Sequence, residues 1–349
     1  MIIFSAQKMG KKYKNLIIVF GGVFFIASTI ILLSVILFHS QNNGNNLFKV
    51  SIESGFTLKE ISNLLHKKNA ITNKRSFEWA ARIMGKEKAF PVGTFKLVNA
   101  HSNYKIIDQL VNETPEIVKV RILEGWNSRQ IASYLSSVMD FDSTKIIELA
   151  NDEKFISKNK LNVKSLEGYF YPDTYFFFRG DKPSKVLSEF VYQYKTFWNN
   201  TYKIRAKQLN LTEHEVVTLA SIIEGEAIFN DERSKISAVY HNRLNINMRL
   251  QADPTIQYII NEKPRRLYNK DLRIKSPYNT YLNKGLPPGP INSPGKSSLI
   301  AALFPEKNDF LYFVARGDGY HTFTTNKKDH DKAKKKFQKI RRQFKKRNK

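Results

Sequence analysis

The sequence predicts an α+β protein held behind a single membrane-crossing helix. Three observations predict it. Residues 16 to 38 form an uncharged apolar run, a strand–turn–helix pattern occurs twice downstream, and a later stretch carries helix periodicity ahead of a Pro/Gly-rich loop and a hairpin.

The first run, "LIIVFGGVFFIASTIILLSVILF", is long enough to cross a bilayer. Lys8, Lys11, Lys12 and Lys14 precede it, and the next charge after it is Lys49. The positive-inside bias therefore places residues 1 to 15 in the cytoplasm and everything after Phe38 outside, as a membrane protein with an extracytoplasmic body. A cleaved signal peptide fits poorly, because the apolar region is too long and "FHSQNNGNN" offers no small-residue cleavage site. The formal charge, 57 − 31 = +26, favours anionic partners. The outside location sets nucleic acid aside. The absence of cysteine excludes disulfides and thiol-ligated metals.

Residues 39 to 47 read as a polar linker. Beyond it, "KVSIESGFTLKEISNLL" from Lys49 and "KVRILEGWNSRQIASYL" from Lys119 run in register. Val50/Val120, Ile52/Ile122, Gly55/Gly125, Ile61/Ile131 and Leu65/Leu135 coincide, with Thr57 and Ser128 as expected helix starts. The pattern reads either as two similar units packing together or as a sugar-polymer-binding module. The expected divisions are 48–115, a second α+β segment at 116–205 containing the aromatic-rich "LEGYFYPDTYFFF", a domain at 206–326, and a basic tail at 327–349. Aromatic faces stack on sugars but also fill cores, and for 166–178 core is the expectation.

"LTEHEVVTLASIIEGEA" (211–227) reads as a helix opened by a Thr212/Glu215 capping box. Its apolar residues cover one broad arc, with Thr218, Ser221 and Gly225 opposite. Glu224 and Glu226 fall on or beside the apolar arc. An apolar site raises a glutamate pKa and makes it a proton donor for a glycosidic oxygen. The competing reading is a helix-end glutamate paired with Arg233, Arg243 or Arg249. Periodicity does not choose between the two glutamates.

Further on, Asp253-Pro254 predicts a turn, 276–295 a long loop, and "DFLYFVARGDGYHTFT" (309–324) a hairpin whose RGD triplet is turn chemistry. In the tail, Ala333, Phe337, Ile340 and Phe344 recur at helical spacing among Lys and Arg. That predicts a basic amphipathic helix, either solvated or touching anionic lipid, where each cation contributes about 1 kcal/mol. Seven scattered His without an HExxH motif give no metal site, and neither a Walker A loop nor a GxSxG elbow is present.

The ordered motifs "LEGYFYPDTY", "LASIIEGEA", "RSKISAVYHNRLNINMRLQADPTIQY", "SPYNTYLNKGLPPGPINSPG" and "YFVARGDGYHTF" resemble the endolytic murein transglycosylase (MltG, or YceG-like) family over nearly everything after the linker. The resemblance implies a membrane-anchored, cofactor-free lyase that cuts peptidoglycan glycan strands and leaves 1,6-anhydroMurNAc ends. Glu224, the first Glu of the "SIIEGE"-like motif, would be the catalytic acid and then the base. Glu226, Gln251, Asp253, Tyr278, Asn279 and Thr280 fall in family-like motifs as candidate cleft residues, each also suited to helix or loop architecture. The resemblance further implies that the 48–115 module is LysM-like, that 206–326 is the catalytic domain, and that peptidoglycan polymerases are partners. Two rivals stand beside it. One is a water-using glycoside hydrolase with Asp253 or Glu226 as second carboxylate; the other is a non-catalytic peptidoglycan-binding scaffold.

Overall fold

A computed structural model describes residues 11–37, 47–53, 55–98, 102–260 and 265–347. Residues 1–10 of the expected cytoplasmic tail, Phe38 and residues 39–46 of the expected linker lie outside them. The chain divides into two compact units, 1–118 with 177–182, and 119–176 with 183–349.

The first unit opens with helix α1 (Lys11–Leu37), which contains a stretch, Leu16–Ser34, of mean hydropathy 2.8. Next come β1 (Leu47–Ile52), α2 (Leu58–Lys67), α3 (Lys74–Ile83), β2 (Gly93–Val98), α4 (Asn103–Asn112) and the start of β3 (Ile117–Arg121). β1 and β2 pair antiparallel, with Leu47 opposite Val98 and Ile52 opposite Gly93. The two helices between them close over a core that includes Val50, Ile52, Ile61, Leu65, Phe77 and Phe95. Thr57 caps α2 in a reciprocal box with Glu60, satisfying two otherwise orphaned amides.

The second unit holds the rest of β3, then α5 (Ser128–Val138), α6 (Ser143–Ala150), α7 (Glu153–Lys158), the first three residues of β4 (Thr174–Phe178), α8 (Pro183–Phe197), α9 (Asn200–Gln208), α10 (Glu213–Glu226), α11 (Asn230–Asn245), α12 (Asp253–Ile260), α13 (Lys296–Leu303), β5 (Tyr312–Ala315), β6 (His321–Thr324) and α14 (Lys327–Arg347). β3 pairs with β4 and β5 with β6, so the described strands form three two-stranded sheets in a mixed α+β chain. The repeat survives in three dimensions. Ile131 and Leu135 are buried on α5 as Ile61 and Leu65 are on α2, and Gly55 and Gly125 both take positive φ, +94° and +77°. One detail differs from the sequence expectation. Asn127, not Ser128, caps α5, with Gln130 closing the box, so the true counterpart of Thr57 is Asn127.

α10 is the centre of the second unit, packed against α9, α11, α12 and α13. Every residue from Val216 to Ile223 is buried, so Thr218 and Ser221, on the face opposite the apolar arc, are interior as well. The Thr218 hydroxyl donates to the His214 carbonyl and the Ser221 hydroxyl to the Thr218 carbonyl. Ser221 also accepts the Ile291 amide, and its carbonyl accepts the Asn292 side chain. A helix covered on all sides needs its polar groups bonded, and the long loop supplies the partners. The aromatic-rich segment is largely core: Leu166, Tyr169 and Phe170 are buried. Asp253-Pro254 starts α12 instead of forming a turn, because proline is tolerated in a first helical turn where no amide partner is needed. The RGD segment closes the β5–β6 hairpin through an Arg316–Asp318 pair. α14 rests Phe337 and Ile340 near Gly317 of that hairpin, and its cations from Lys327 to Arg342 are exposed.

Replacing Thr212 by Ala removes the capping box of α10 and is expected to lower stability by about 1 kcal/mol, with Thr212→Ser close to wild type. Urea unfolding followed by intrinsic fluorescence tests this; equal midpoints for wild type and Thr212→Ala would refute the cap's contribution.

Candidate active site

Glu224 sits in the last turn of α10, where the helix C-terminus disfavours negative charge. Its side chain is only 6% exposed and is compensated from two directions. Arg233 on α11 reaches Oε1 at 3.1 Å, and the Gly295 amide donates to Oε2 at 3.0 Å. Gly295 is the cap residue of α13, so the carboxylate also lies at the favourable N-terminal end of that helix. Arg233 is held in turn: Nε donates to Asn230 Oδ1 at 2.9 Å and Nη1 to Ser298 Oγ at 2.5 Å. Of the three arginines expected as partners, Arg233 makes the pair, and Arg243 instead donates to the Leu311 and Leu250 carbonyls.

The turn of the second repeat forms the other wall. Gly125 donates to the Ser293 carbonyl at 2.9 Å, and Ser293 donates back to the Trp126 carbonyl at 2.8 Å. This two-bond bridge brings exposed Glu124 against Gly295, where a Cβ would fall 1.9 Å from Glu124 Oε1. A side chain at 295 would have to push the Glu124 carboxylate aside. Burial and the charge of Glu224 push the Glu124 carboxyl above the ordinary range. Periodicity along 211–227 could not have found Glu124; the signal lay in the repeat, where it directly precedes the turn glycine.

Glu226, two residues on, faces a different space. A cleft of about 300 Å³ is lined by Gly125, Asn127, Glu226, Asp253, Tyr258 and Asn292, among others. Gly225 allows α10 to meet α12 there, since a Cβ would lie 2.6 Å from that of Pro254. Burial, then the charge of Asp253, raises Glu226 to about 7, although Tyr240 donates to Oε1 at 3.1 Å. The glutamate held near neutral pH by burial is therefore Glu226, whereas Glu224 is ion-paired.

Gln251 is exposed with φ +50° and its amide donates to the Thr280 carbonyl. Asp253 accepts from Tyr281 at 2.5 Å and borders the cleft. Asn279 and Thr280 are buried, and their side chains tie the loop to backbone ahead of it: Asn279 Nδ2 donates to the Leu272 and Ile274 carbonyls, and Thr280 Oγ1 accepts from the Ala252 amide. Tyr278 lines a separate hollow of about 630 Å³ with Glu167 and His214. The structure thus brings Glu226 and Asp253 to one cleft, two residues along from Glu224, sets Thr280 behind the Gln251–Ala252 backbone as a support for Asp253, and places Tyr278 and Asn279 elsewhere. Among the described residues, no cluster of three or more His, Cys, Asp or Glu is arranged for a metal ion.

The YceG-like family model matches residues 50–336. A Bacillus subtilis (strain 168) protein named endolytic murein transglycosylase is 32% identical over 335 residues, 92% of this chain and 91% of that protein. A protein of the same name from Streptococcus pneumoniae serotype 2 (strain D39 / NCTC 7466) is 28% identical over 83% of this chain and 58% of its own length. A 2.6 Å crystal structure of a YceG-like protein from Listeria monocytogenes is 31% identical, covers 83% of this chain and 99% of that one, and has a TM-score of 0.58.

Glu226 titrates from about 7 in the folded chain against an ordinary 4.5, so the folded state holds more protons between those values. Its contribution is most favourable below about 4.5 and is lost as pH rises through about 7. Glu226→Gln is expected to remove that part of the decline, on the order of a few kcal/mol, while Glu167, also raised to about 7, retains its own. Urea unfolding from pH 5 to 8 reads it out; a wild-type-to-variant difference independent of pH would sink the assignment.

Proposed function

Since the chain belongs to the YceG-like family, we propose that it is a membrane-anchored lytic transglycosylase that cuts nascent peptidoglycan glycan between MurNAc and GlcNAc. The observation that carries this reading is the single carboxylate of Glu224, held by Arg233 and the Gly295 amide beside a cleft. Lytic cleavage asks one group to act twice. Glu224, charged beforehand with a proton from Glu124, whose carboxyl is pushed upward against Gly295, first protonates the bridging oxygen. The carboxylate left behind is stabilised by Arg233 and the α13 N-terminus. As a base it then takes the proton from the MurNAc C6 hydroxyl, which closes on C1 as the 1,6-anhydro end. No water enters the balance.

The apolar helix α1 is the anchor, with the body extracytoplasmic, limiting the enzyme to strands near the membrane, where it terminates elongation in company with peptidoglycan polymerases. The 48–115 segment is read as a LysM-like glycan-binding module; its closed core between two antiparallel strands supports a self-contained unit. A water-using hydrolase is the second reading, favoured by Glu226 and Asp253 on the cleft wall.

Glu224→Gln is expected to reduce cleavage of un-crosslinked glycan by at least about 10²-fold, with mass spectrometry showing anhydro ends from the wild type alone. Reducing MurNAc ends would favour the hydrolase, and full activity in the variant would discard Glu224. A reporter fused after Lys349 is expected to be active only outside the cytoplasm; cytoplasmic activity would overturn the topology.

A further inference from the structure

A second cleft, about 580 Å³, adjoins the first and shares Glu226 and Asp253 with it. Its far wall is the start of α14, the basic helix for which the reaction above has no use. Lys327, His330, Lys334 and Phe337 line it, next to the β5–β6 hairpin on which α14 packs. Neither Lys327 nor Lys334 makes an ion pair among the described residues, whereas Lys332, between them in sequence and outside the cleft, is matched by Asp329 at 3.0 Å. His330 stacks on Tyr312, and its Nδ1 is buried without a hydrogen-bond partner. Burial, followed by the charge of Lys334, lowers the pKa of His330, which favours a neutral ring. Asp331 is the acidic residue on this wall, so the two lysines leave the α14 side net positive while the Glu226–Asp253 junction is not. A groove runs from the Gly125 turn, past the carboxylates, to a cationic end.

We propose that this end is a subsite for a carboxylate-bearing substituent of the glycan, the peptide stem on the lactyl group of MurNAc, with Lys327 and Lys334 as its cationic contacts. This rests on the peptidoglycan reading above. The amphipathic pattern of the tail then has a purpose. Phe337 and Ile340 seat the helix on the hairpin near Gly317, and that seating fixes Lys327 and Lys334 on the groove wall. The other described cations of α14, from Lys328 to Arg342, are solvent-exposed. Stem recognition would bias cutting toward strands that still carry stems, as freshly polymerised strands do.

The test measures binding of soluble un-crosslinked strands, with stems and after amidase removal of stems, to the full chain in zwitterionic nanodiscs. Glu224→Gln serves as background so that binding is read without cleavage. Stem-bearing strands are expected to bind about fivefold tighter at low salt, the effect of two exposed ion pairs, and the preference should shrink with added salt. Lys327→Gln/Lys334→Gln, both at solvent-accessible positions, should bring the preference close to one, and Lys335→Gln/Lys336→Gln should keep it. No preference in the background protein, or a preference that survives the groove-facing double substitution, overturns the subsite. So does a lysine effect that appears only in nanodiscs with anionic lipid and is the same for both strands, which would assign these lysines to the membrane surface. Cleavage that yields no anhydro ends while stem preference persists defeats the lytic reading and leaves the subsite standing.

Discussion

The buried ion pair between Glu224 and Arg233 is the constraint on which the site depends. A carboxylate at the C-terminal end of a buried helix is opposed both by desolvation and by the helix dipole. The fold answers with a guanidinium from the next helix and the amide-rich start of α13. Those demands explain neighbouring residues that have no chemistry of their own. Asn230 and Ser298 hold Arg233, and Ser221 and Asn292 hold the loop that delivers Gly295. Pairs of this kind are conditional: removing one partner leaves an uncompensated charge in the interior. The arrangement therefore makes geometry and electrostatics a single requirement.

The duplicated strand–turn–helix unit shows one local pattern serving two ends. In the first copy, the turn at Gly55 leads into α2 and a self-contained core. In the second, the same turn at Gly125 is bonded to Ser293 and carries Glu124 to the carboxylate centre. The apolar positions are equivalent, because both copies bury the same helix face. The difference lies in one residue ahead of the glycine and in what the turn touches. A core motif thus becomes part of a site without altering its own packing.

Charge is distributed along the second unit in a way that suits a polymer more than a small molecule. Glu226 and Asp253 line the stretch common to both clefts, and Lys327 and Lys334 stand at the α14 end. The formal charge of +26 is consequently not one uniform field acting on a distant partner. Part of it is placed by the β5–β6 hairpin beside the groove, and part is simply solvated surface.

Much of the local structure was determined by the sequence alone: the apolar run of α1, the Thr57 and Thr212 caps, the repeat, the hairpin around RGD, and the amphipathic spacing of α14 all depend on near neighbours, which periodicity and capping chemistry report directly. Helix geometry likewise marked Glu224 and Glu226 as unusual, and motif resemblance selected the first. What only the tertiary structure decided is how each carboxylate is satisfied. Arg233 lies nine positions beyond Glu224, Gly295 lies 71 beyond it and Glu124 a hundred before it, and no pattern along α10 encodes such contacts. The same holds for Asn279 and Thr280, buried polar loop residues that turn inward because the Leu272 and Ile274 carbonyls and the Ala252 amide need partners. Local spacing fixes which faces a helix presents; the surrounding elements decide whether a charge on that face meets water, a cation or another carboxylate, and that choice sets its chemistry.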